Sequence, residues 1–323
     1  MGAPEPTAHP PLILAGMPRS GTTWTMEAVA ADPGLYLLSE PDNETLSPPA
    51  IWAKRHAGRF PVLEPGDRDD DYRRLWTWIL DGAAPALRLD IAKKMLRAVR
   101  PGGRRRFHQG RLSPVMQSAG MVAANPRDRR VPELEGHRLF VKTVMAPLAI
   151  EWLASEFELV VLVLLRHPGN VLASWMSLDL SLEFARLDDR PAVRRRIDAG
   201  TIPRPGTGDL ERLAWQLGVL NLGLEEAAAR HPDWVLRTHE DLCIDPLEKF
   251  RRLYADLDLT WNDRVEEFLV VNDRPGDGFR TQRKASEQPE AWKKRLDADQ
   301  IAILRRVLGG FPLTSWTEDD LTP

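Results

Sequence analysis

A chain of 323 residues with 43% hydrophobic residues is long enough for one large α/β domain with a sizeable core. A net charge of -3 gives no global field for nucleic acid, and the runs Arg104-Arg105-Arg106 and Arg194-Arg195-Arg196 lack interleaved aromatic residues. A single cysteine, Cys243, excludes an intrachain disulfide and a cysteine-based metal cluster.

Residues 1–11, MGAPEPTAHPP, read as a short disordered tail with no basic-then-apolar signal pattern, and Thr7 misses the spacing that would support myristoylation of Gly2. The expected location is the cytoplasm. From residue 12 to residue 323 no linker run or repeat divides the chain.

Leu12-Ile13-Leu14-Ala15 reads as a strand that meets Gly16, and Met17-Pro18-Arg19-Ser20-Gly21 as a loop before a helix starting at Thr22-Thr23-Trp24. Such a loop points backbone N–H groups into one concavity, and the helix N-terminus adds partial positive charge, so a phosphate is the natural guest. Gly16 and Gly21 have the spacing of the nucleotide-binding pattern G-x-x-x-x-G-K-[ST], but Thr22 stands where that pattern has Lys. The missing Lys argues against ATP or GTP.

A strand-like piece at Leu35 to Leu38 leads to Ser39-Glu40-Pro41-Asp42-Asn43, expected at the C-terminal end of the sheet, where α/β folds bind ligands. Asp70 to Arg100 shows helical spacing with Trp76 and Trp78. These two and Trp52 are read as core, with an acceptor pocket as the alternative. Phe140-Val141-Lys142-Thr143 ends another strand. Leu159 to Leu165, LVVLVLL, is a continuous apolar run that suits a strand buried on both faces of a parallel sheet and is too short to span a membrane. It ends in Arg166, where a triphosphate enzyme would carry a magnesium-binding Asp. Arg166 therefore suggests a second anion site, since its planar fork binds phosphate oxygens in pairs. His167-Pro168-Gly169-Asn170 and a helix start through Ser174 follow. Residues 177–208 show no clear periodicity after Leu187 and read as an irregular lid or binding loop.

Pro18-Arg19-Ser20-Gly21-Thr22-Thr23-Trp24 resembles the phosphosulfate-binding loop of sulfotransferases that use 3′-phosphoadenosine 5′-phosphosulfate (PAPS), in the carbohydrate-type and bacterial branch, where Arg replaces the usual Lys after Pro. Arg166 through Ser174 resembles the element of that family that grips the 3′-phosphate. Leu236-Arg237-Thr238-His239-Glu240-Asp241-Leu242 resembles its R-Y-E-D-L strand end near the adenine, with His239 in place of Tyr. Gln282-Arg283-Lys284-Ala285-Ser286, followed by Trp292-Lys293, is similar to its basic loop over the 3′-phosphate. Lys142-Thr143 matches the first two residues of the K-T-H found in cytosolic members, but Val144 stands where their catalytic His would be.

The resemblance implies a three-layer α/β fold, with a mainly parallel central sheet and helices on both faces, like the P-loop nucleotide-binding fold. It implies one domain over 12–323 with helical and loop insertions for the acceptor. The activity implied is metal-independent transfer of a sulfuryl group from PAPS to a hydroxyl of a small molecule, sugar or glycolipid, leaving adenosine 3′,5′-bisphosphate (PAP). N–H groups of Ser20, Gly21, Thr22 and Thr23 would hold the phosphosulfate. Arg19 and Lys142 would neutralise the transferring group, Arg166 and Ser174 the 3′-phosphate, and Trp24 would pack near the adenine. Arg283 and Lys284 are further candidates for the 3′-phosphate, against a solvated charge run. Glu40 is the expected general base, with Asp42, His56 and His108 behind it. A homodimer is compatible with this reading. Arg in excess over Lys hints at a bacterial genome. A P-loop kinase or other nucleotide-dependent transferase, and a non-catalytic PAPS-binding protein, remain as alternatives.

Overall fold

A computed structural model describes residues 9–82, 134, 136–178, 186–274, 284–317 and 319–322. Five strands form one parallel sheet: β1 (Leu12–Gly16), β2 (Leu35–Ser39), β3 (Arg138–Thr143), β4 (Val160–Leu165) and β5 (Val235–Thr238), in the order β2-β3-β1-β4-β5. The helices are α1 (Thr22–Val29), α2 (Pro48–Ala53), α3 (Asp70–Leu80), α4 (Ile150–Glu156), α5 (Pro168–Ser177), α6 (Pro191–Asp198), α7 (Asp209–Arg230), α8 (His239–Ile244), α9 (Pro246–Asp256), α10 (Asp263–Asn272) and α11 (Ala298–Leu308).

The two-residue period of a strand divides the core. Leu12, Leu14, Phe140, Leu162 and Leu164 pack on α1, α9 and α10 through Met26, Phe250, Leu253 and Val265. Ile13, Ala15, Val141, Val161 and Val163 face the other way, onto α3, α4 and α7 through Trp76, Trp152 and Leu224. Both faces are covered, as the unbroken apolar run of β4 requires. A third cluster joins α5, α6, α7 and α11 around Trp175, Trp215 and Trp292.

Two sequence expectations change, and a third is described only in part. The tail expected over 1–11 is held at its end: the Pro11 carbonyl accepts from Val160 N at 2.9 Å and the Pro10 carbonyl from Arg138 Nε at 2.8 Å. The 177–208 stretch contains helix α6, which escapes a periodicity search because its eight residues turn only Val193 and Ile197 inward. The helical spacing of 70–100 is a helix as far as Leu80; residues 83–100 lie outside the described residues, as do Arg104-Arg105-Arg106.

The topology also selects a place for chemistry. From β1 the chain crosses to β2 on one side, and from β4 to β5 on the other, while β1 and β4 are neighbours. Loops leaving adjacent strands in opposite directions open a crevice at their C-terminal ends. The loop after β1 and the turn after β4 flank that crevice.

Candidate anion-binding and catalytic site

Register places the residues that follow the strands in one row. Ser39 pairs with Lys142, Ala15 with Thr143, Gly16 with Leu164, and Leu165 with Thr238. Glu40, Val144, the loop from Met17, Arg166 and His239 therefore share one edge of the sheet.

The loop 17–21 is closed from within. Ser20 donates its N–H (3.2 Å) and its Oγ (2.8 Å) to the Met17 carbonyl, and the side chain is buried. Ser20 thus shapes the loop, and the N–H groups of Gly21, Thr22 and Thr23 belong to the first turn of α1, where amides have no acceptor within the helix. Gly16 is required because a Cβ there would lie 2.6 Å from Thr22 Cγ2 and 2.7 Å from Ser20 Oγ. At Gly21, φ is +87° and a Cβ would lie 1.9 Å from His239 Cδ2.

Three cations gather along this edge. Arg19 Nε donates to Ser174 Oγ at 2.9 Å, and Arg166 Nη1 donates to the Arg19 carbonyl at 3.0 Å. These bonds join the loop after β1 to helix α5 and the end of β4 across the crevice. Trp175 Nε1 adds a bond to the Pro18 carbonyl at 2.8 Å. Lys142 is buried; its Nζ pairs with Glu40 Oε1 and lies 3.3 Å from Thr23 Oγ1. The strand period explains the division of labour at the end of β3. Lys142 points to the α1 face and meets Thr23. Thr143 points to the α3 face and donates to Asp42 at 2.8 Å.

Glu40 has φ +52° and Arg19 φ +72°; the third non-glycine residue with positive φ among the described residues is Asp258. A side chain in that region costs about 1–3 kcal/mol and persists only where surroundings impose it. Glu40 is fixed by its N–H donating to the Lys142 carbonyl at 2.7 Å, by Lys142 Nζ, and by Asn43 Nδ2 on Oε2 at 2.5 Å.

Behind Glu40 lies a buried polar cluster that sequence reasoning did not assemble. Asp42 is fully buried and accepts from Thr143 and from Tyr72 Oη at 3.1 Å. Burial pushes its carboxyl above the ordinary carboxylate range, against the pull of Lys54. Burial also acts to raise Glu44, but Lys54 and Arg59 outweigh it and hold Glu44 low. Lys54 Nζ donates to Glu44 at 2.5 Å and to the Arg59 carbonyl at 2.9 Å. The alternation of carboxylates at 40, 42 and 44 was the available signal.

The remaining candidates fall elsewhere. Trp24 is half-buried, with edge contacts to Phe250 (5.0 Å) and His239 (5.6 Å). Lys284 is exposed and lies 3.5 Å from Glu287. Arg283 and His108 lie outside the described residues. His56 is exposed, Trp76 is buried core, and Trp52 and Trp78 are half-buried. Val144 is buried, so no imidazole occupies that strand end.

A separate cleft of about 120 Å³ lies among α4, α6 and α7, with Leu148, Val193 and Val219 in its wall. Its Arg196 and Arg230 are paired with Glu226 and Glu151, and it shares no lining residue with the strand-end row. No helix among the described residues is long and apolar enough to cross a membrane.

No family model and no curated protein sequence matches the chain. Among solved structures it is similar to a sulfotransferase domain from the curacin biosynthetic pathway, at 14% identity and a TM-score of 0.47, covering 95% of this chain and 100% of that one. It is also similar to sulfotransferase STF9 from Mycobacterium avium, at 16% identity and a TM-score of 0.42, covering 96% of this chain and 79% of that one. A third is retinol dehydratase in complex with androsterone and inactive cofactor PAP, at 16% identity and a TM-score of 0.39, covering 94% and 82%. Likenesses at these scores carry no functional weight; the geometry of the strand-end row carries it.

Proposed function

We propose that the chain is a PAPS-dependent sulfotransferase acting on a hydroxyl of a small-molecule, sugar or glycolipid acceptor. One observation carries the reading: the loop after β1 and the turn after β4, side by side at the crevice, are tied together by Arg19, Ser174 and Arg166. A triphosphate enzyme needs a loop Lys and a strand-end carboxylate for Mg²⁺ at these two places. Here Thr22 and Arg166 stand there. The donor set suits a ligand with two separate anionic groups, one at the N-terminus of α1 and one at Arg166.

When bound, PAPS supplies a sulfuryl group on a phosphate leaving group. The chain's own part is charge placement and proton removal. The first-turn amides of Gly21, Thr22 and Thr23, with Arg19, hold anionic oxygen at the loop. Arg166 and Ser174 hold the second phosphate. Lys142 sits between Glu40 and Thr23, so an anion at the loop competes with Glu40 for the ammonium. Release of Lys142 leaves the Glu40 carboxylate free to take the acceptor's hydroxyl proton. Cationic side chains do the work that Mg²⁺ does in phosphoryl transfer.

The test is calorimetric. PAP should bind far more tightly than ADP or ATP, and turnover of labelled PAPS with a panel of sugars, glycolipids, phenols and natural products should survive EDTA. Equal affinity for PAP and ATP, with turnover lost to EDTA and restored by Mg²⁺, would return the P-loop kinase reading.

A further inference from the structure

The strand-end turn that carries Arg166 is held by a carboxylate that the reaction itself does not need. Glu240 lies in the first turn of helix α8, one residue past His239. Its Oε2 accepts from the His167 backbone N–H at 3.1 Å, and its Oε1 from Asn170 Nδ2 at 3.1 Å. Oε1 also lies 3.9 Å from Arg166 Nε, with both side chains only 12–13% exposed. One buried carboxylate thus reaches the cation that follows β4, the next backbone amide, and the first turn of α5. Asn170 continues the path. Its Nδ2 also donates to the Pro289 carbonyl at 2.9 Å, and its Oδ1 accepts from Trp292 N at 3.0 Å. Gly169 permits this packing, since a Cβ there would lie 2.8 Å from the Trp292 ring.

We propose that Glu240, acting with Asn170, is a positioning residue that aims Arg166 and thereby sets the preference for a ligand carrying a second phosphate. The proposal rests on the sulfotransferase reading and names a residue for its specificity. The chemistry is restrictive. Every group facing the two oxygens is a donor: a backbone N–H, a side-chain amide and a guanidinium. A carboxylate accepts from the first two and pairs by charge with the guanidinium 3.9 Å away. The amide of a glutamine must turn its NH₂ toward one of these donors, so Glu240→Gln keeps the shape and breaks the pattern. Arg166 would then lose the charge that orients it, and its bond to the Arg19 carbonyl would feel the change, while the amides of Gly21, Thr22 and Thr23 stay at the start of α1 to take the 5′ group.

The experiment compares two probes, PAP and adenosine 5′-phosphate, which differ only in the 3′-phosphate. Their affinities are measured by titration calorimetry for the wild type, Glu240→Gln and Asn170→Ala. The wild type should prefer the bisphosphate. In Glu240→Gln that preference should shrink by about tenfold or more, with adenosine 5′-phosphate binding within about twofold to threefold of wild type. A residue that only supports the fold would weaken both probes together or neither, and either result overturns the proposal. Where Glu240→Gln does not fold, Asn170→Ala decides in the same way. A wild type that does not distinguish the two probes would instead remove the sulfotransferase reading, and this proposal with it.

Discussion

At the scale of single residues, the site is defined by groups held away from their relaxed states. Glu40 is a charged residue in left-handed backbone, bonded through both carboxylate oxygens and its own amide. Glu40→Gln preserves the bond from Asn43 but removes basicity. It should lower kcat by about 10²–10⁴-fold, the usual worth of a positioned base, without weakening PAP binding by calorimetry, because Lys142 is then released toward the anion. Turnover within a few-fold of wild type would make Glu40 structural. His239 makes a different prediction. Its ring is buried under Gly21, with Cys243 Sγ 3.6 Å from Nδ1. Burial, reinforced by Arg166, holds its pKa well below the ordinary value. The native state therefore refuses a proton that the unfolded chain accepts near pH 6.5. Stability should fall as pH drops through about 6.5, by about 1.4 kcal/mol per unit until the native pKa is reached. His167, also lowered by burial, acts in the same direction; Asp42 and Glu240, raised by burial, act in the opposite one. The difference between wild type and His239→Gln cancels these three. Denaturant unfolding at pH 7.5 and 5.5 should show the wild type's advantage shrinking on acidification; a constant difference would mean that His239 takes up its proton as readily in the native state as in the unfolded chain.

At the scale of elements, the loop after β1 depends on what lies beneath it. Gly21→Ala places a methyl group against the His239 ring and forces an L side chain to φ +87°. We expect a loss of about 1–3 kcal/mol in denaturant unfolding together with weakened PAP binding. Adding His239→Ala should restore part of the stability, because the steric share is then relieved. No recovery would assign the whole cost to the backbone. The same elements show what a sequence can reveal. Strands β1 and β4 were legible because fully buried parallel strands are continuous apolar runs, and the loop because glycine spacing survives without context. Helix α6 was not, since two apolar residues make no period. The Asp42–Thr143–Tyr72 and Glu240–Asn170–Arg166 contacts were not either: they join residues 30 to 101 positions apart, and only the sheet register and the helices packed on it bring those positions together.

At the scale of the whole molecule, the crevice draws on the ends of β1, β2, β3, β4 and β5. A ligand seated there stabilises the fold by mass action. PAP at a hundred times its dissociation constant should add about 2.7 kcal/mol to unfolding stability, read as a rise in thermal midpoint, with ATP at the same concentration adding far less. Equal rises would contradict the preference for two separate phosphates. The chain's single thiol gives this assembly an internal clock. Cys243 is buried against His239, whose ring lies under Gly21, and burial pushes its thiol up to about 12. In the native fold it is neither exposed nor ionised, so a thiol reagent reaches it only when the packing around it opens. The rate of its modification is then a count of openings, obtained without labels or substitutions. Occupancy of the crevice is written in that rate as a slowing.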